Sequence, residues 1–528
     1  MLVPIDNVGQ YGVNQDIPAH RLPANVWTDA REVRFYDNSV WKAFGETVEL
    51  GVPTVDPYYF YHHLGPSSVF WVYPGLAKVF ATDGSTHTDI TRSAGGDYTG
   101  GVDDIWQGTH LGGIEVFNNG LDDPQAWIAP SLGTPLVDLA NWPANTTARI
   151  VKSFRQYLIA MDLTQGGVHF PFLVKWSHVA DPGSVPSSWD ETDPTLDAGE
   201  FPLAASGGHI KDGVSLQNSF LIYKEDQTWA MTHIGGRFIF DFKQRFNTGV
   251  VSQRCVVTYK ARHYVATQED IIRHDGFQQE SVLDDKMRRW YAGQVDPDAA
   301  GRQYMVLNEK ENEIWMCIPQ AGSAHPNIAL IINIKDGSCT LRSLDEPVFI
   351  TAAPFDPGAG QTTFDSQTTI FDQMQGRFGQ RTSQPGAKRL LGALRGTVGI
   401  KRFLLFDEGF SKEGSDYRGY VERLSMPIGG VSREGTPVMD ASRIKLVNEL
   451  WPEMQIQNGT TVDIYVGGQD TLREPVTFQG PFPFEVGVDD KIDCDVAARY
   501  HSFRFETNDQ SQWKLDGYKV NVEQLGQT

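Results

Sequence analysis

Cysteine is almost missing from this sequence: 528 residues contain four, Cys255, Cys317, Cys339 and Cys494. None forms a CxxC pair, which excludes a disulfide scaffold and a zinc knuckle and leaves buried, reduced thiols as the expectation. Positive charge is also short. Lys+Arg number 45 against 66 Asp+Glu, a formal net charge of −21 with a pI near 5.0. A general grip on nucleic acid needs a basic surface, so that class is excluded for the chain as a whole. The acidity suits solubility at high concentration, or the wall of a passage that must repel polyanions. Long apolar runs are lacking too. The longest, such as 328–332, fall far short of the ~20 residues that cross a bilayer. Met1-Leu2-Val3-Pro4-Ile5-Asp6 has neither the basic nor the apolar region of a signal peptide, so export and stable membrane insertion are not expected.

Helical periodicity is scarce as well. One helix is expected, over 281–291, where Val282, Met287 and Trp290 fall near helical spacing. What the chain does have is 52 Gly, 29 Pro, 29 Phe, 18 Tyr and 13 Trp, arranged as short apolar segments that stop at turn residues. Examples are Val69-Phe70-Trp71-Val72-Tyr73 before Pro74-Gly75, and Ala329-Leu330-Ile331-Ile332-Asn333 before Asp336-Gly337. At 40% apolar and 21% charged residues the chain can bury a core, which excludes disorder of the whole. By length alone it would form three or four units of roughly 150 residues.

Strand clusters recur near 58–91, 104–128, 148–178, 209–242, 250–280 and 303–343. A period of roughly 40–50 residues, at about four short strands per unit, is that of β-propeller blades. The competing arrangement is an array of β-sandwiches with similar hairpins. The expected fold is therefore all-β: a six-bladed β-propeller with additional β-sandwich or platform modules. Residues 1–50 are read as an N-terminal strap with the first strands, 51–351 as the blades, and 352–402 as a flexible basic loop or insertion. Residues 403–528 are the final strands and a C-terminal β-sandwich or platform module, with a break near Gly429-Gly430.

No catalytic motif is present: HExxH, GxSxG, a P-loop and GxGxxG after a strand are all absent. His62-His63 is read as two histidines on a strand or turn, without ligands at metal spacing. Asp103-Asp104, Asp122-Asp123, Asp284-Asp285 and Asp489-Asp490 are read as turns, since acid–base pairs need separated groups facing one substrate. Against the S-x-D-x-G-x-T-W turn of propeller sialidases, the stretch 222–229 matches only at Thr228-Trp229. No catalytic residue, cofactor or metal ligand is assigned. The one charge island is basic: Arg377, Arg381, Lys388, Arg389, Arg395, Lys401 and Arg402, with no acid between Gln373 and Phe406. It could contact phosphates, dock on an acidic neighbouring subunit, or be a solvated loop.

The most diagnostic stretch lies at the start. Gly12-Val13-Asn14-Gln15-Asp16-Ile17 leads to Trp27-Thr28-Asp29-Ala30, then Val33-Arg34-Phe35-Tyr36-Asp37-Asn38-Ser39-Val40 and Gly45. This resembles the opening of the tail nozzle (tail tubular, or packaged-DNA stabilisation) proteins of short-tailed bacteriophages. Those begin with G-x-N-x-D, then W-(T/S)-D-(A/G)-x-N-V-R-F-x-(D/N)-G and a closing glycine. Glu32 replaces the family's Asn, and Ser39 stands near its Gly. Val174-Lys175-Trp176-Ser177 with Asp181-Pro182 and Ser188-Trp189 is similar to the family's "R/K-W-S … D-P … W" blade motif. Ala498-Arg499-Tyr500 through Arg504-Phe505, with Trp513 and Gly517, is similar to its closing module. The resemblance thus covers nearly the whole chain.

The matching residues have structural readings. Trp27, Trp176 and Trp189 would bury their rings and donate indole N–H groups to carbonyls at blade edges. Asp29, Asp37 and Asn38 suit tight turns, and Arg499 and Arg504 would pair with acids or carbonyls. The resemblance implies a virion tail protein, made in the host cytoplasm and assembled as a homo-oligomeric ring of six. Its partners would be the portal and head-to-tail adaptor proteins, tail fibre or spike proteins, and double-stranded DNA that passes without sequence specificity. Such a protein is not an enzyme: it extends the channel, retains packaged DNA and conducts it during ejection. The alternative is a propeller-type tail protein that binds or depolymerises host surface glycan. A cellular propeller scaffold would carry WD-type or kelch-type repeats, which are missing.

Overall fold

The computed structural model describes residues 1–65, 69–236, 238–355, 388–396, 399–455 and 460–526. Strand takes up 51% of the chain and helix 3%, so the all-β class holds. Seven four-stranded antiparallel units are found among the described residues. Blade 1 is Tyr61–Leu64, Val69–Pro74, Val79–Thr82 and His87–Asp89. Blade 2 is Gln107–Leu111, Ile114–Asn118, Gln125–Trp127 and Val137–Asp138. Blade 3 is Thr146–Phe154, Tyr157–Gln165, Val168–Trp176 and Gly199–Pro202. Blade 4 is Ile210–Leu216, Ser219–Lys224, Thr228–His233 and Phe240–Phe246, and blade 5 is Val256–Tyr259, Arg262–Ala266, Ile271–His274 and Gln279–Ser281. Blade 6 is Tyr304–Asn308, Glu313–Ile318, Ile328–Asn333 and Cys339–Ser343.

Blade 7 is assembled from both ends of the propeller. Pro347–Pro354, Lys388–Leu394 and Arg402–Phe406 form three strands, and Glu46–Glu49 pairs antiparallel with the last of them. First strands lie side by side in five neighbouring pairs, including blade 7 against blade 1, and blades 1 and 2 and blades 4 and 5 are joined by side-chain contacts, so the ring closes. The propeller with appended β modules is as expected, but its blades number seven rather than six. The extra blade was hidden for a physical reason. Glu46-Thr47-Val48-Glu49 has no apolar alternation of its own, and the blade's first two strands, Pro347–Pro354 and Lys388–Leu394, are too far apart in sequence to read as a hairpin. Part of the 352–402 region expected to be an insertion is therefore blade.

The apolar runs follow from burial on both faces, as the middle strands of a blade are covered by its two neighbours. Glu313–Ile318 and Ile328–Asn333 are buried at every position. Five gaps between blades hold their own clusters, and the two gaps flanking blade 5 share one with the sandwich core. Phe70, Val72, Phe117 and Trp127 fill the gap between blades 1 and 2, and Trp71, Tyr73, Leu391 and Phe403 fill that between 1 and 7. At roughly 1.5–3 kcal/mol per buried large side chain, these clusters are the main force closing the ring. All four cysteines are buried and free.

The remaining strands form a sandwich. One sheet runs Val33–Tyr36, Ser39–Lys42, Lys514–Gly526, Ile444–Gln455, Ile492–Ala498, with Leu2–Asp6 also on Lys514–Gly526. The other runs Asp29–Arg31, Gly419–Met426, Tyr500–Thr507, Thr461–Gln469, Thr477–Glu485, and it continues directly from the outer strand of blade 6. Strand alternation is clear in Ile492–Ala498, whose positions are buried and exposed in turn. Trp27, Ile464, Phe503, Phe505, Trp513 and Tyr518 belong to the core between the sheets. The C-terminal module therefore starts at Gly419, before the expected break at Gly429-Gly430, and four further strands, spread over both of its sheets, come from the first 42 residues.

The helix expected over 281–291 is confined to Arg288–Ala292. Asp285 is in the left-handed region, φ 56°, which ends any helix running through it. Asp37 and Asn38, at φ 47° and 61°, make the tight turn expected of them.

Two buried histidines between blades 4 and 5 are locked neutral. The Tyr223 hydroxyl donates to His263 Nδ1 at 2.6 Å and accepts from His274 Nε2 at 2.9 Å. His263 Nε2 donates to the Ser215 carbonyl at 3.1 Å, and His274 Nδ1 accepts the Gly276 N–H at 3.2 Å. Each ring thus uses one nitrogen as donor and one as acceptor, the neutral pattern. Burial lowers both rings to about 4. The unfolded chain takes up these protons near pH 6.5 and the folded chain only near 4, so folding stability falls as pH drops through that window. The melting temperature is expected to fall steeply from pH 6.5 to 4, by an amount equivalent to about 3 kcal/mol per ring at full effect. His274→Gln should flatten the profile; a wild-type profile already flat down to pH 4 would contradict the neutral assignment.

Candidate functional site

Propeller and sandwich meet at a buried cluster of charges. Asp407 follows the last strand of blade 7. Its carboxylate accepts from Arg34 Nη2 at 2.9 Å, Arg342 Nη1 at 2.7 Å and Asn308 Nδ2 at 2.7 Å. Arg34, on the sandwich strand Val33–Tyr36, also grips Glu313 of blade 6 through Nε and through Nη2, the latter at 2.9 Å. Arg342, on the outer strand of blade 6, reaches Glu46 at 3.0 Å and the carbonyls of Phe44 and Gly45 at 3.1 and 3.2 Å. Lys412 donates to Glu32 and to the Ser343 carbonyl, both at 2.9 Å. Burial alone would raise the Asp407 carboxyl, but Arg34 and Arg342 hold it below its ordinary value. Burial works against the Arg342 charge as well, and Asp407, Glu46 and Glu32 raise it above its ordinary value. Four chain regions far apart in sequence are tied here.

The other motif residues serve this joint, the sandwich or, for Trp176 and Trp189, the surroundings of blade 3. Gly12 has φ 68°, and a Cβ there would sit 2.7 Å from the Cys339 backbone nitrogen, so the strap can lie on blade 6 only with glycine at this position. Asn14 Nδ2 donates to the Asp285 carbonyl at 2.6 Å, and the Asp16 carboxylate accepts the N–H groups of Arg288 and Arg289, both at 2.9 Å. Trp27 is buried in the sandwich, not at a blade edge, and donates to the Val8 carbonyl at 2.6 Å. Asp29 lies on a strand rather than in the expected turn, where it accepts the Tyr420 hydroxyl at 2.6 Å. Trp176 donates to the Asp197 carbonyl at 2.7 Å as expected. Trp189 packs edge-on against Trp142 at 4.8 Å, and its buried N–H has no partner among the described residues. Arg504 pairs with Glu422 and lies over the Phe478 ring at 4.6 Å. Arg499 stands between Ile492–Ala498 and Tyr500–Thr507.

The propeller axis is filled at one end. Arg254, just before the inner strand of blade 5, lies 4.8 Å from the Phe349 ring, 5.7 Å from Tyr59 and 6.0 Å from Tyr304. These aromatics come from the inner region of blades 7, 1 and 6, and both Tyr59 and Tyr304 stand 5.0 Å from Phe349. The Arg254 backbone N–H donates to Asp212 of blade 4 at 2.9 Å. Burial lowers the Arg254 pKa, and the rings offer their π-faces as partial compensation.

The basic island is dispersed. Arg377 and Arg381 lie outside the described residues. Lys388 pairs with Glu309 at 2.7 Å, Arg389 with Glu408, and Arg402 with Glu413 at 2.7 Å and Asp345 at 3.1 Å. Lys401 donates to the Thr54 carbonyl at 2.6 Å, and Arg395 sits 3.0 Å from His325 and 4.3 Å from the Tyr58 ring centre. All five described members have partners within the chain, in and around blade 7. His62 and His63 lie on the strand Tyr61–Leu64, with His63 Nδ1 at 2.7 Å from the buried Glu115. Among the described residues no group of three or more His, Cys, Asp or Glu is placed to hold a metal ion.

Sequence reasoning picked out Arg34 but not its partners Glu313 and Asp407, nor Arg342 and Glu46 of the same cluster. A usable sign was present: Glu313 opens, and Asp407 closes, an otherwise apolar strand run. A charge at such an edge is buried and needs a partner.

No family model matches this chain, and no curated protein matches it. Among solved structures it is similar to the AfRom2 CNH domain, at 8% identity and a TM-score of 0.38, covering 69% of this chain and 99% of that one. It is also similar to Kluyvelomyces marxianus Hsv2, at 10% identity and a TM-score of 0.28, covering 64% and 96%. At these values neither likeness bears on function.

Removing Asp407 strands two buried guanidinium groups. Asp407→Ala is expected to cost ~3–5 kcal/mol, read from the denaturant midpoint. Lys388→Ala, which breaks a half-exposed pair with Glu309, should cost less than ~1 kcal/mol. Similar losses in the two variants would refute a central role for the cluster.

Proposed function

We propose that this chain is a structural protein of a short-tailed phage tail, a nozzle subunit that continues the portal channel, retains packaged DNA and conducts it during ejection. The observation that carries the reading is where the resemblance falls. Gly12, Asn14, Asp16 and Arg34 tie the strap or the sandwich to the propeller, while Trp27, Asp29 and Arg504 hold the sandwich itself together. A wall that holds pressurised DNA must resist deformation, and modules cross-tied by buried ion pairs and continuous sheets supply that stiffness.

The conduit in this reading is not the propeller axis, which Arg254 and its aromatic neighbours fill. It is enclosed between copies of the chain, related by a rotation that closes into a ring of six through head-to-tail contacts. The formal charge of −21 per chain favours a lumen to which DNA does not adhere. Such repulsion reaches only about 8–10 Å from the wall at physiological salt, so lumen width and charge act together. The portal and adaptor above the ring, and fibre or spike proteins around it, are the partners this role requires.

Electron microscopy of the purified chain, or of the particle that carries it, tests the proposal. A closed ring with an acid-lined lumen is expected. A monomer within assembled tails, or a basic lumen, would refute it.

A further inference from the structure

A cavity of ≈ 150 Å³ opens between blades 2 and 3. Its wall includes Asp103 and Asp104, which precede blade 2, and Arg149, Asp162 and His169 from three strands of blade 3. Gln253 from the start of blade 5 completes it, so the cavity borders the propeller axis. It lies apart from the joint with the sandwich.

Several features mark it as a built site. Gln253 is only 6% exposed, yet its Nε2 has no partner among the described residues. A buried donor left unpaired costs ~1–3 kcal/mol, and an acceptor inside the cavity would relieve that cost. Arg149 is exposed, and its guanidinium has no partner within the described chain. Asp162 sits where the register shifts between Met161 and Leu163, at φ 55°. Such a bulge re-aims a side chain that regular alternation would place elsewhere. Its carboxylate is 5% exposed and is held by His169 Nε2. Asp103 is fixed by Arg302 at 2.7 Å, and Asp104 by the Gly101 N–H at 2.6 Å.

The wall chemistry selects the ligand. Three carboxylates repel an anion, while the Arg149 guanidinium and the unpaired Gln253 N–H need acceptors that a bare cation does not carry. A hydroxyl both donates and accepts, so a polyol satisfies both kinds of wall group. The volume equals about five waters, well below the roughly 300 Å³ at which drug-sized pockets begin, and it suits one pyranose ring. We infer that this cavity binds a single neutral sugar residue. Asp104 and Asp162 accept from its hydroxyls, and Arg149 and Gln253 donate to them. The sugar is a free monosaccharide or the end of a glycan. The inference goes beyond the nozzle proposal and does not depend on it.

Saturation-transfer NMR on the intact chain tests it, with glucose, galactose, mannose and N-acetylglucosamine as probes, each beside an oligosaccharide built from it. At least one is expected to receive saturation. Arg149→Ala and Gln253→Leu should each weaken binding about tenfold or more, with Arg149→Ala leaving the melting temperature unchanged. Arg155→Ala, at the opposite hairpin of the same blade, should change nothing. Tighter binding of the oligosaccharide than of its monosaccharide identifies a glycan as the source; equal binding identifies the free sugar. No transfer to any probe, binding indifferent to both cavity variants, or displacement of the sugar by inorganic phosphate or Ca²⁺ at lower concentration would overturn the inference.

Discussion

The Asp407 carboxylate, held between Arg34 and Arg342, is the contact on which the relation of propeller to sandwich depends. Its two guanidinium partners come from different modules, and each binds a further acid, Glu313 or Glu46. Isolated buried charges are costly, and a buried pair is no sure source of stability. What such a network enforces is geometry: a fork that must meet two carboxylates admits few relative positions of the strands that carry it. The closing strand Glu46–Glu49, blade 6 and the first sandwich hairpin are thereby set in one arrangement.

Closure by a strand from the other end of the chain has a second consequence. The propeller cannot be completed until residues 46–49 have returned to Arg402–Phe406, and the sandwich cannot be completed until Leu2–Asp6 and Ser39–Lys42 meet Lys514–Gly526. Both modules therefore depend on contacts more than 350 residues apart, which makes loop closure, not local propensity, the slow part of assembly. The apolar strands within each blade are local and can form early; their blades become a closed body only when the ends return.

Charge is divided along similar lines. The described members of the basic stretch around blade 7, Lys388, Arg389, Arg395, Lys401 and Arg402, all find partners within the chain. The neutral pair His263 and His274 belongs to the same logic, since each ring is fitted with one donor and one acceptor and has no place for a second proton.

Much of the architecture was legible. Runs such as Glu313–Ile318 and Tyr500–Thr507 mark themselves as strands because two covered faces, or one, dictate their pattern, and the spacing of the clusters marks blades. The seventh blade was not legible, because Glu46–Glu49 becomes a strand only by pairing with a distant edge. Nor were the partners of Arg34, or the meeting of Asp103, Arg149, Asp162 and Gln253 around one cavity, since residues this far apart leave no periodicity. The sequence by itself determined the all-β class, the blade-like repeat, the buried thiols and the acidic character, all of which follow from local pattern and composition. Only the tertiary structure decided how many blades close, which charges are matched and where a cavity opens, because those depend on where the chain returns to itself.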